Sequence, residues 1–279
     1  MPGIPVKLLP FEQYNLVAIA LSGGKDSLAC LLLALEDFST SKVIALHHDV
    51  DGRAGQFMDW PCTPGYVKAV CRELHVPLYF SWREGGFLRE MLRQDEPTGR
   101  TFFEIPGGLM SSGGKGPKGT RMKFPQVSAD LSVRWCSAYL KIDVGRILMN
   151  NDPQFQGQKT LFITGERAQE STARAKYLEA EEHHSSGRGR LIHQWRPILH
   201  WDEQKVWEII KRHRILPHPC YRLGWGRASC MTCIFGSPNQ WATVRVIAPE
   251  QFERIAQYEE EFGLTIQRKL SIRQMADKG

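Results

Sequence analysis

The sequence predicts an α/β protein built on a doubly wound, mostly parallel sheet, with a small irregular cysteine-bearing unit at its C-terminal end. Short apolar runs alternate with helical segments from the first strand onward. A glycine-containing turn joins the first run to the first helix, and three of the seven cysteines lie within fourteen residues near the C-terminal end. Alternating strands and helices favour parallel pairing with right-handed crossovers.

The first third of the chain carries the clearest alternation. An apolar run over 15–21 predicts a buried strand and is followed by a helix over 28–35. A second strand is predicted over 42–47, a helix over 66–74 and a third strand over 76–80. Continuous apolar runs of this length, bounded by polar residues, are typical of strands that are covered on both faces.

The alternation continues after residue 130. The predicted elements are a helix over 131–149, strands over 159–164 and 191–198, and helices over 203–211 and 249–262. Asp202 is the predicted N-cap of the helix at 203, since its carboxylate can accept free backbone N–H groups. A soft boundary near 215 divides an α/β domain, 1–215, from a C-terminal iron–sulfur or helical unit, 216–279.

Residues 98–127 interrupt this pattern. The stretch 106–119 is rich in glycine, and the segment around it carries four cations and no acid between 106 and 125: Lys115, Lys118, Arg121 and Lys123. We expect no packed structure over 106–119. The segment is interpreted either as a solvated surface loop or as a basic lid that orders over a polyanion, because long loops are often functional.

Composition and charge limit the class of protein. The chain of 279 residues is 42% hydrophobic and 24% charged, which is ordinary for a globular protein and excludes wholesale disorder. No apolar run approaches the ~20 residues of a membrane span, and no secretory signal is visible, so a cytoplasmic protein of bacterial or phage type is expected. The net charge of +6 and an acid-free basic stretch over 211–227 allow a polyanionic partner.

The strongest motif is Ser22-Gly-Gly-Lys-Asp-Ser27, between the first strand and the first helix. Glycines let the backbone approach phosphate oxygens, and the N-terminus of the following helix presents N–H groups and a positive dipole end. Lys25 adds a charge, and Ser22 and Ser27 add hydroxyl groups. The pattern differs from the Walker A loop. It nevertheless predicts a phosphate-binding turn.

This turn resembles the SGGxDS loop of the N-type ATP pyrophosphatases, the PP-loop superfamily, which have an adenine nucleotide alpha hydrolase-like fold. Members cut ATP between its α- and β-phosphates, leaving AMP on an activated oxygen and releasing pyrophosphate. The resemblance implies that six residues hold the triphosphate with Mg²⁺, namely Ser22, Gly23, Gly24, Lys25, Asp26 and Ser27. Asp26 either serves the metal or caps the helix.

Within the superfamily, residues 15–236 resemble the phosphoadenosine phosphosulfate (PAPS) reductase-like family. Asp49 and Asp51 follow the second strand, at the place where that family binds the nucleoside. The run from Gly165 to Arg174, GERAQESTAR, matches the family signature G-x-R-x-x-E-S-x-x-R. The resemblance implies that Gly165 contacts ATP and that Arg167 and Arg174 are phosphate clamps, because a guanidinium fork fits phosphate oxygens.

Four cysteines are candidate metal ligands. Cys230 and Cys233 form a C-x-x-C pair, Cys220 lies nearby, and Cys136 stands where the family brings a cysteine into the active cleft. Four thiolates can hold a [4Fe–4S] cluster or a zinc ion, and a C-x-x-C pair can also form a redox disulfide. The family resemblance favours the cluster over zinc. Buried apolar positions are expected for the other three, Cys30, Cys62 and Cys71.

The arrangement of the cysteines also limits which subfamily of the PAPS reductase-like family the chain resembles. No cysteine follows Cys233, and Trp135 occupies the first of two positions where cluster-bearing adenylylsulfate reductases have paired cysteines. The pattern is most similar to the DndC/SspD component of DNA phosphorothioation systems. This resemblance implies AMP transfer to a DNA phosphate oxygen and a cysteine desulfurase as sulfur donor. It also implies that DNA is contacted through partner subunits and that no membrane is involved, and it is compatible with a homodimer. Open alternatives are a PAPS or adenylylsulfate reductase, a transfer-RNA thiolation enzyme and a non-catalytic nucleotide-binding subunit.

Overall fold

The computed structural model describes residues 3–128, 130–187 and 189–279. Their strands join one nine-stranded sheet. In chain order the strands are β1 (Ile4–Pro5), β2 (Leu16–Ala20), β3 (Val43–Asp49), β4 (Leu78–Arg83), β5 (Arg100–Ile105), β6 (Gly108–Gly113), β7 (Lys159–Ile163), β8 (Ala180–Glu182) and β9 (Leu191–Trp195). All the strands predicted from the apolar runs are present, with ends shifted by a few residues.

Helices cover both faces of the sheet and form the C-terminal end. In chain order they are α1 (Lys25–Asp37), α2 (Thr63–Glu73), α3 (Gly86–Met91), α4 (Trp135–Ser137), α5 (Asp143–Asn151), α6 (Glu203–Arg212), α7 (Pro238–Ile247), α8 (Pro249–Phe262) and α9 (Ile272–Ala276). A π-helical turn, Ala138–Ile142, joins α4 to α5. Within the described ranges, every helix is too short or too polar to span a bilayer.

The sheet has the doubly wound topology that the sequence predicts. The strand order is β1-β8-β9-β7-β2-β3-β4-β5-β6. The five central strands, from β9 to β4, pair in parallel, and antiparallel strands extend the sheet at both edges. Successive strands run outward from β2 to β4, and the chain then returns to the other side of β2 at β7. The boundary between β2 and β7 is therefore the topological switch point, where such sheets bind their ligands.

Each face of the sheet buries its own apolar cluster, as the alternation of side chains along a strand requires. Val17 and Ile19 of β2 point to the face covered by α1, α2 and α6. Ala18 points to the opposite face and packs with Leu148 of α5 and Phe155. Burial on both faces explains why β2 reads as a continuous apolar run.

A third apolar cluster joins the C-terminal helices to loops at the carboxyl edge of the sheet. Phe252 of α8 and Trp241 of α7 pack in the same cluster as Trp60 and Trp135. A backbone hydrogen bond from Thr232 N to Met58 O, at 3.2 Å, ties the same two parts together. The C-terminal unit thus lies over the end of the sheet that carries the candidate site; the boundary near 215 stays a prediction.

The prediction that 106–119 lacks packed structure is wrong for its first half, which contains β6. β5 and β6 form an antiparallel hairpin with Ile105 paired to Gly108 and Arg100 paired to Gly113. Pro106 and Gly107 make the two-residue turn, with φ +79° at Gly107, a conformation that glycine adopts without steric cost. Glycines are tolerated in β6 because this edge strand is largely exposed and packs little of its surface.

Helix α7 was not predicted, although its sequence carries a start signal. Ser237 accepts a hydrogen bond from Gln240 N at 3.3 Å, and the Gln240 side chain accepts one from Ser237 N at 2.9 Å. Pro238 occupies the first helical turn. This capping box satisfies backbone donors at the start of the helix. The predicted cap of α6 is confirmed, since Asp202 accepts a hydrogen bond from Lys205 N at 2.8 Å.

Candidate active site at the switch point of the sheet

The Ser22–Ser27 turn connects β2 to α1 at the switch point, so the predicted phosphate loop lies where the fold favours ligand binding. Gly23 has φ +87°, and a side chain there would meet Val67 at 3.4 Å. The Ser27 hydroxyl accepts a hydrogen bond from Ser22 N at 3.2 Å and donates one to Gly24 O at 3.0 Å. These bonds hold the loop in a fixed shape at the positive end of the α1 dipole.

Lys25 is buried in this structure, with 3% of its side chain exposed. Its Nζ atom donates to Gly226 O at 3.1 Å and to an Asp26 carboxylate oxygen at 3.2 Å. A second carboxylate, on Glu203 of α6, lies 3.6 Å away. The lysine charge is therefore neutralised by protein groups, and an incoming phosphate would take the place of some of them.

Asp26 and Arg167 form an ion pair across the switch point. Arg167 Nε donates to Asp26 Oδ1 at 2.6 Å, while the other Asp26 oxygen receives Lys25. Gly165 makes this close approach possible, because a Cβ on it would lie 2.9 Å from the Asp26 carbonyl carbon and 3.0 Å from Ser27 N. The structure thus brings Gly165 and Arg167 to the phosphate loop.

Arg174 lies farther along the same segment and has a different environment. It forms an ion pair with Glu170, and 29% of its side chain is exposed. Glu170 also accepts the Arg167 N–H at 3.0 Å. Arg174 could therefore bind a phosphate only after its ion pair with Glu170 is broken. The geometry supports its predicted role as a phosphate clamp less directly than that of Arg167.

Asp49 and Asp51 hold the backbone after β3. Asp49 Oδ1 accepts the N–H groups of Asp51 and Gly52 at 3.0 and 3.1 Å. Asp51 accepts three N–H groups from the loop at Phe57, Met58 and Asp59, at 2.9–3.1 Å. Both carboxylates are thus used to shape the loop next to the site, and contact with a nucleoside stays a prediction for both.

The buried position of Asp51 predicts a pH dependence. Burial raises the pKa of this carboxyl from 3.8 to about 6, although three N–H donors oppose the shift. Because the folded state then holds the proton more tightly than the unfolded chain, ionisation destabilises the fold as the pH rises from about 4 to about 6. We expect the stability of the wild type relative to Asp51→Asn to fall over this interval and to stay constant above it, as measured by urea unfolding. A stability difference between the two proteins that does not change with pH over this interval would contradict the assignment.

Three of the candidate metal-binding cysteines lie around Lys141. Interaction with Cys230 is the largest cause of a raised Lys141 pKa, with smaller contributions from Asp59, Cys136 and Cys233. Lys141 is nevertheless an exposed residue. Sequence reasoning did not select Lys141, since its spacing from the cysteines carries no known signature.

The described residues do not form a ready metal site. Within 3–128, 130–187 and 189–279, no three His, Cys, Asp or Glu side chains are placed to hold a metal ion. Burial raises the pKa values of Cys136, Cys220 and Cys230, which disfavours the thiolates that a cluster or zinc needs. The four-thiolate set does not fit a cluster in this arrangement. Mg²⁺ needs fewer protein ligands, because it commonly binds through substrate phosphates and one or two carboxylates.

Cys62 is not the buried apolar residue that the sequence predicts. Cys30 and Cys71 are buried as expected, but Cys62 is only partly buried. Its Sγ lies 3.7 Å from His218 Nε2, and its charge raises the pKa of Cys220. The prediction failed because Cys62 ends a loop just before α2 and does not lie on the buried face of that helix.

Tyr221 was also missed, and it touches the phosphate loop directly. Its hydroxyl oxygen accepts the N–H of Lys25, the first residue of α1, at 2.8 Å, and the N–H of Ala228 at 3.3 Å. An anion at a helix N-terminus would accept the same Lys25 donor. The contact spans 196 residues of sequence, so no local pattern could have indicated it.

Comparison with known proteins identifies a family relationship over part of the chain. Residues 129–235 match the family model for the phosphoadenosine phosphosulfate reductase domain. Over 274 residues, the chain is 28% identical to an uncharacterised 37.8 kDa protein in the gpa 5′ region of Escherichia phage 186, covering 89% of this chain and 76% of that protein. The predicted resemblance to the PAPS reductase family is confirmed over the matched residues; the finer resemblance to DndC/SspD stays a prediction.

Two solved structures are similar at low sequence identity. FMN adenylyltransferase of Candida glabrata, in complex with FAD and inorganic pyrophosphate, has a TM-score of 0.43 and 11% identity, covering 78% of this chain and 57% of that chain. The present chain thus spans less than two thirds of that enzyme. PAPS reductase of Candida auris, as a phosphate complex, has a TM-score of 0.42 and 14% identity, covering 78% of this chain and 82% of that chain.

Proposed function

We propose that the protein is an ATP pyrophosphatase that transfers AMP to an acceptor oxygen and thereby activates it for sulfur incorporation. The observation that carries this proposal is the convergence of the Ser22–Ser27 loop, Lys25 and the Asp26–Arg167 pair at the switch point of the sheet. The PAPS reductase domain match adds support for nucleotide and sulfur chemistry.

The loop and its cations suggest how the reaction proceeds. Backbone N–H groups at the start of α1 bind phosphate oxygens, and Lys25 and Arg167 exchange their carboxylate partners for phosphate. The acceptor oxygen attacks the α-phosphorus, the bond from the α-phosphorus to the α,β-bridging oxygen breaks, and pyrophosphate leaves. Mg²⁺ bound with ATP would neutralise part of the phosphate charge. Positioning and charge stabilisation supply most of the rate in such a transfer.

The proposed acceptor is a phosphate oxygen of the DNA backbone, with a cysteine desulfurase as the sulfur donor. Lys211, Arg214, Arg222 and Arg227 are exposed on one acid-free stretch, which suits contact with a polyanion alone or through partner subunits. Arg212 is exposed too but pairs with Glu36 at 2.5 Å. Transfer RNA is an alternative acceptor with the same backbone charge.

The products of ATP turnover test the proposal. Purified protein is incubated with ATP, Mg²⁺ and duplex DNA or transfer RNA, and nucleotide products are separated. We expect pyrophosphate and acceptor that carries AMP, and we expect Lys25→Ala to lower the formation of both at least ~100-fold, since it removes a charge at the transferring group. Lys159→Ala, at the opposite end of β7, should match the wild type. Production of ADP and orthophosphate, or no turnover with either acceptor, would overturn the proposal.

A reductase is the second candidate, because the matched family model describes a PAPS reductase domain. It would cleave the sulfur from PAPS or adenylylsulfate as sulfite and borrow a thiol from a partner. Sulfite release from either nucleotide in the presence of thioredoxin, without pyrophosphate formation from ATP, would favour this activity over the first.

A further inference from the structure

Cys62 directly precedes a residue that borders the phosphate loop. Cys62 is the N-cap residue of α2, and the next residue, Thr63, borders Gly23 of the loop: a Cβ on Gly23 would lie 3.6 Å from the Thr63 methyl group and 3.4 Å from Val67. Cys62 is only partly buried. A cysteine that is not fully shielded from solvent therefore lies one residue along the chain from Thr63, which borders the loop that is proposed to hold ATP.

His218 is placed to donate a hydrogen bond to this thiol. The imidazole is 1% exposed, and its Nδ1 accepts the backbone N–H of Cys220 at 3.2 Å. In a neutral ring the proton is then on Nε2, which lies 3.7 Å from Cys62 Sγ and 3.2 Å from Thr63 Oγ1. Burial raises the pKa of the Cys62 thiol, and an N–H donor at the sulfur opposes this shift by stabilising negative charge that develops on it.

A second cysteine contacts the same ring through its backbone, since the Cys220 N–H donates to His218 Nδ1 at 3.2 Å. The next residue, Tyr221, accepts the Lys25 N–H of the phosphate loop at 2.8 Å. The Cys62 thiol and the Cys220 backbone thus contact opposite nitrogens of one buried imidazole. Sequence spacing groups Cys220 with Cys230 and Cys233; in the structure, its backbone is linked to the Cys62 thiol through His218.

We propose that Cys62 is the sulfane-sulfur acceptor of this protein, an inference that rests on the proposed role in sulfur incorporation. The Cys62 thiolate attacks the outer sulfur of a persulfide donor, R–S–SH. A bond forms between Cys62 Sγ and that sulfur, the donor S–S bond breaks, and the donor leaves as the thiolate R–S⁻. The step needs no oxidant or reductant. It leaves Cys62 as a persulfide next to the loop where the acceptor is activated.

The test uses glutathione persulfide as donor and needs no ATP. The full-length protein is incubated anaerobically with the donor, free thiols are blocked, and peptides are examined by mass spectrometry. We expect one additional sulfur atom on the peptide that contains Cys62. Cys62→Ser should lose this species, and Cys71→Ala, a buried position on the same helix, should retain it. Sulfur located on Cys136, Cys230 or Cys233, or on no cysteine, would overturn the inference.

His218 acts as a positioning residue and offers a second readout. His218→Gln retains an N–H donor at the Nε2 position, whereas His218→Phe removes it. We expect persulfide formation to slow about tenfold or more in the phenylalanine variant and to be largely restored by glutamine. Pyrophosphate formation is measured in parallel. Cys62 persulfide without pyrophosphate would reject the proposed function alone, and pyrophosphate without Cys62 persulfide would reject this inference alone.

Discussion

Replacing Arg167 with alanine is expected to lower the free energy of unfolding by about 3 kcal/mol and to abolish pyrophosphate formation. Only 5% of the Arg167 side chain is exposed, and its Nε lies 2.6 Å from Asp26 Oδ1. Removing one partner of a buried pair leaves an uncompensated charge, which typically costs about 3–5 kcal/mol. The lower end applies because Lys25 still pairs with Asp26 at 3.2 Å.

The matched control is Arg174→Ala. Its arginine pairs with Glu170 on the same segment but is 29% exposed, so its loss should cost under about 1 kcal/mol. Denaturant unfolding compares the two variants. The double variant Asp26→Asn/Arg167→Ala should recover part of the stability, since it removes the stranded carboxylate, but no activity. Equal destabilisation by both single variants would show that the Asp26–Arg167 pair has no special structural role.

The sequence predicts the centre of the fold well, because there one physical signal dominates. Strands that are buried on both faces are largely apolar, and β2, β3, β4 and β7 each contain an uninterrupted apolar run of at least three residues. The phosphate loop could also be predicted from the sequence, because Gly23, Gly24 and Lys25 are adjacent in the chain. The parallel order then follows from the crossover rules.

The parts that were missed depend on contacts between distant segments. Cys62 and His218 are 156 residues apart, and Lys25 and Tyr221 are 196 apart, so spacing within a motif cannot reveal either pair. The hairpin of β5 and β6 was missed for another reason: its edge strand is exposed and rich in glycine, which gives it the composition of a loop. The turn residues Pro106 and Gly107 were the available signal.

The 98–127 segment is attached to α3 through Glu90, and removal of this anchor is expected to have a second large effect. Glu90 is 1% exposed and accepts hydrogen bonds from Arg121 Nε and Nη2 at 3.1 and 2.8 Å. Arg93 Nε lies 3.2 Å from the same oxygen. The Arg121 guanidinium also stacks on Trp135, 4.6 Å from the ring centre. Arg121, predicted to be a free cation for a polyanion, is therefore a structural residue.

Glu90→Ala is expected to lower the free energy of unfolding by about 3–5 kcal/mol, because two guanidinium groups that are only 10% exposed lose their shared carboxylate. Glu96→Ala is the matched control: Glu96 pairs with Arg89 at 3.4 Å but is 56% exposed, and its loss should cost less than about 1 kcal/mol. Thermal and urea unfolding measure both changes. Since Trp135 adjoins Cys136, release of Arg121 should also make the Cys136 thiol react faster with an alkylating reagent. Unchanged stability of Glu90→Ala together with unchanged Cys136 reactivity would refute the assignment of Glu90 as this anchor.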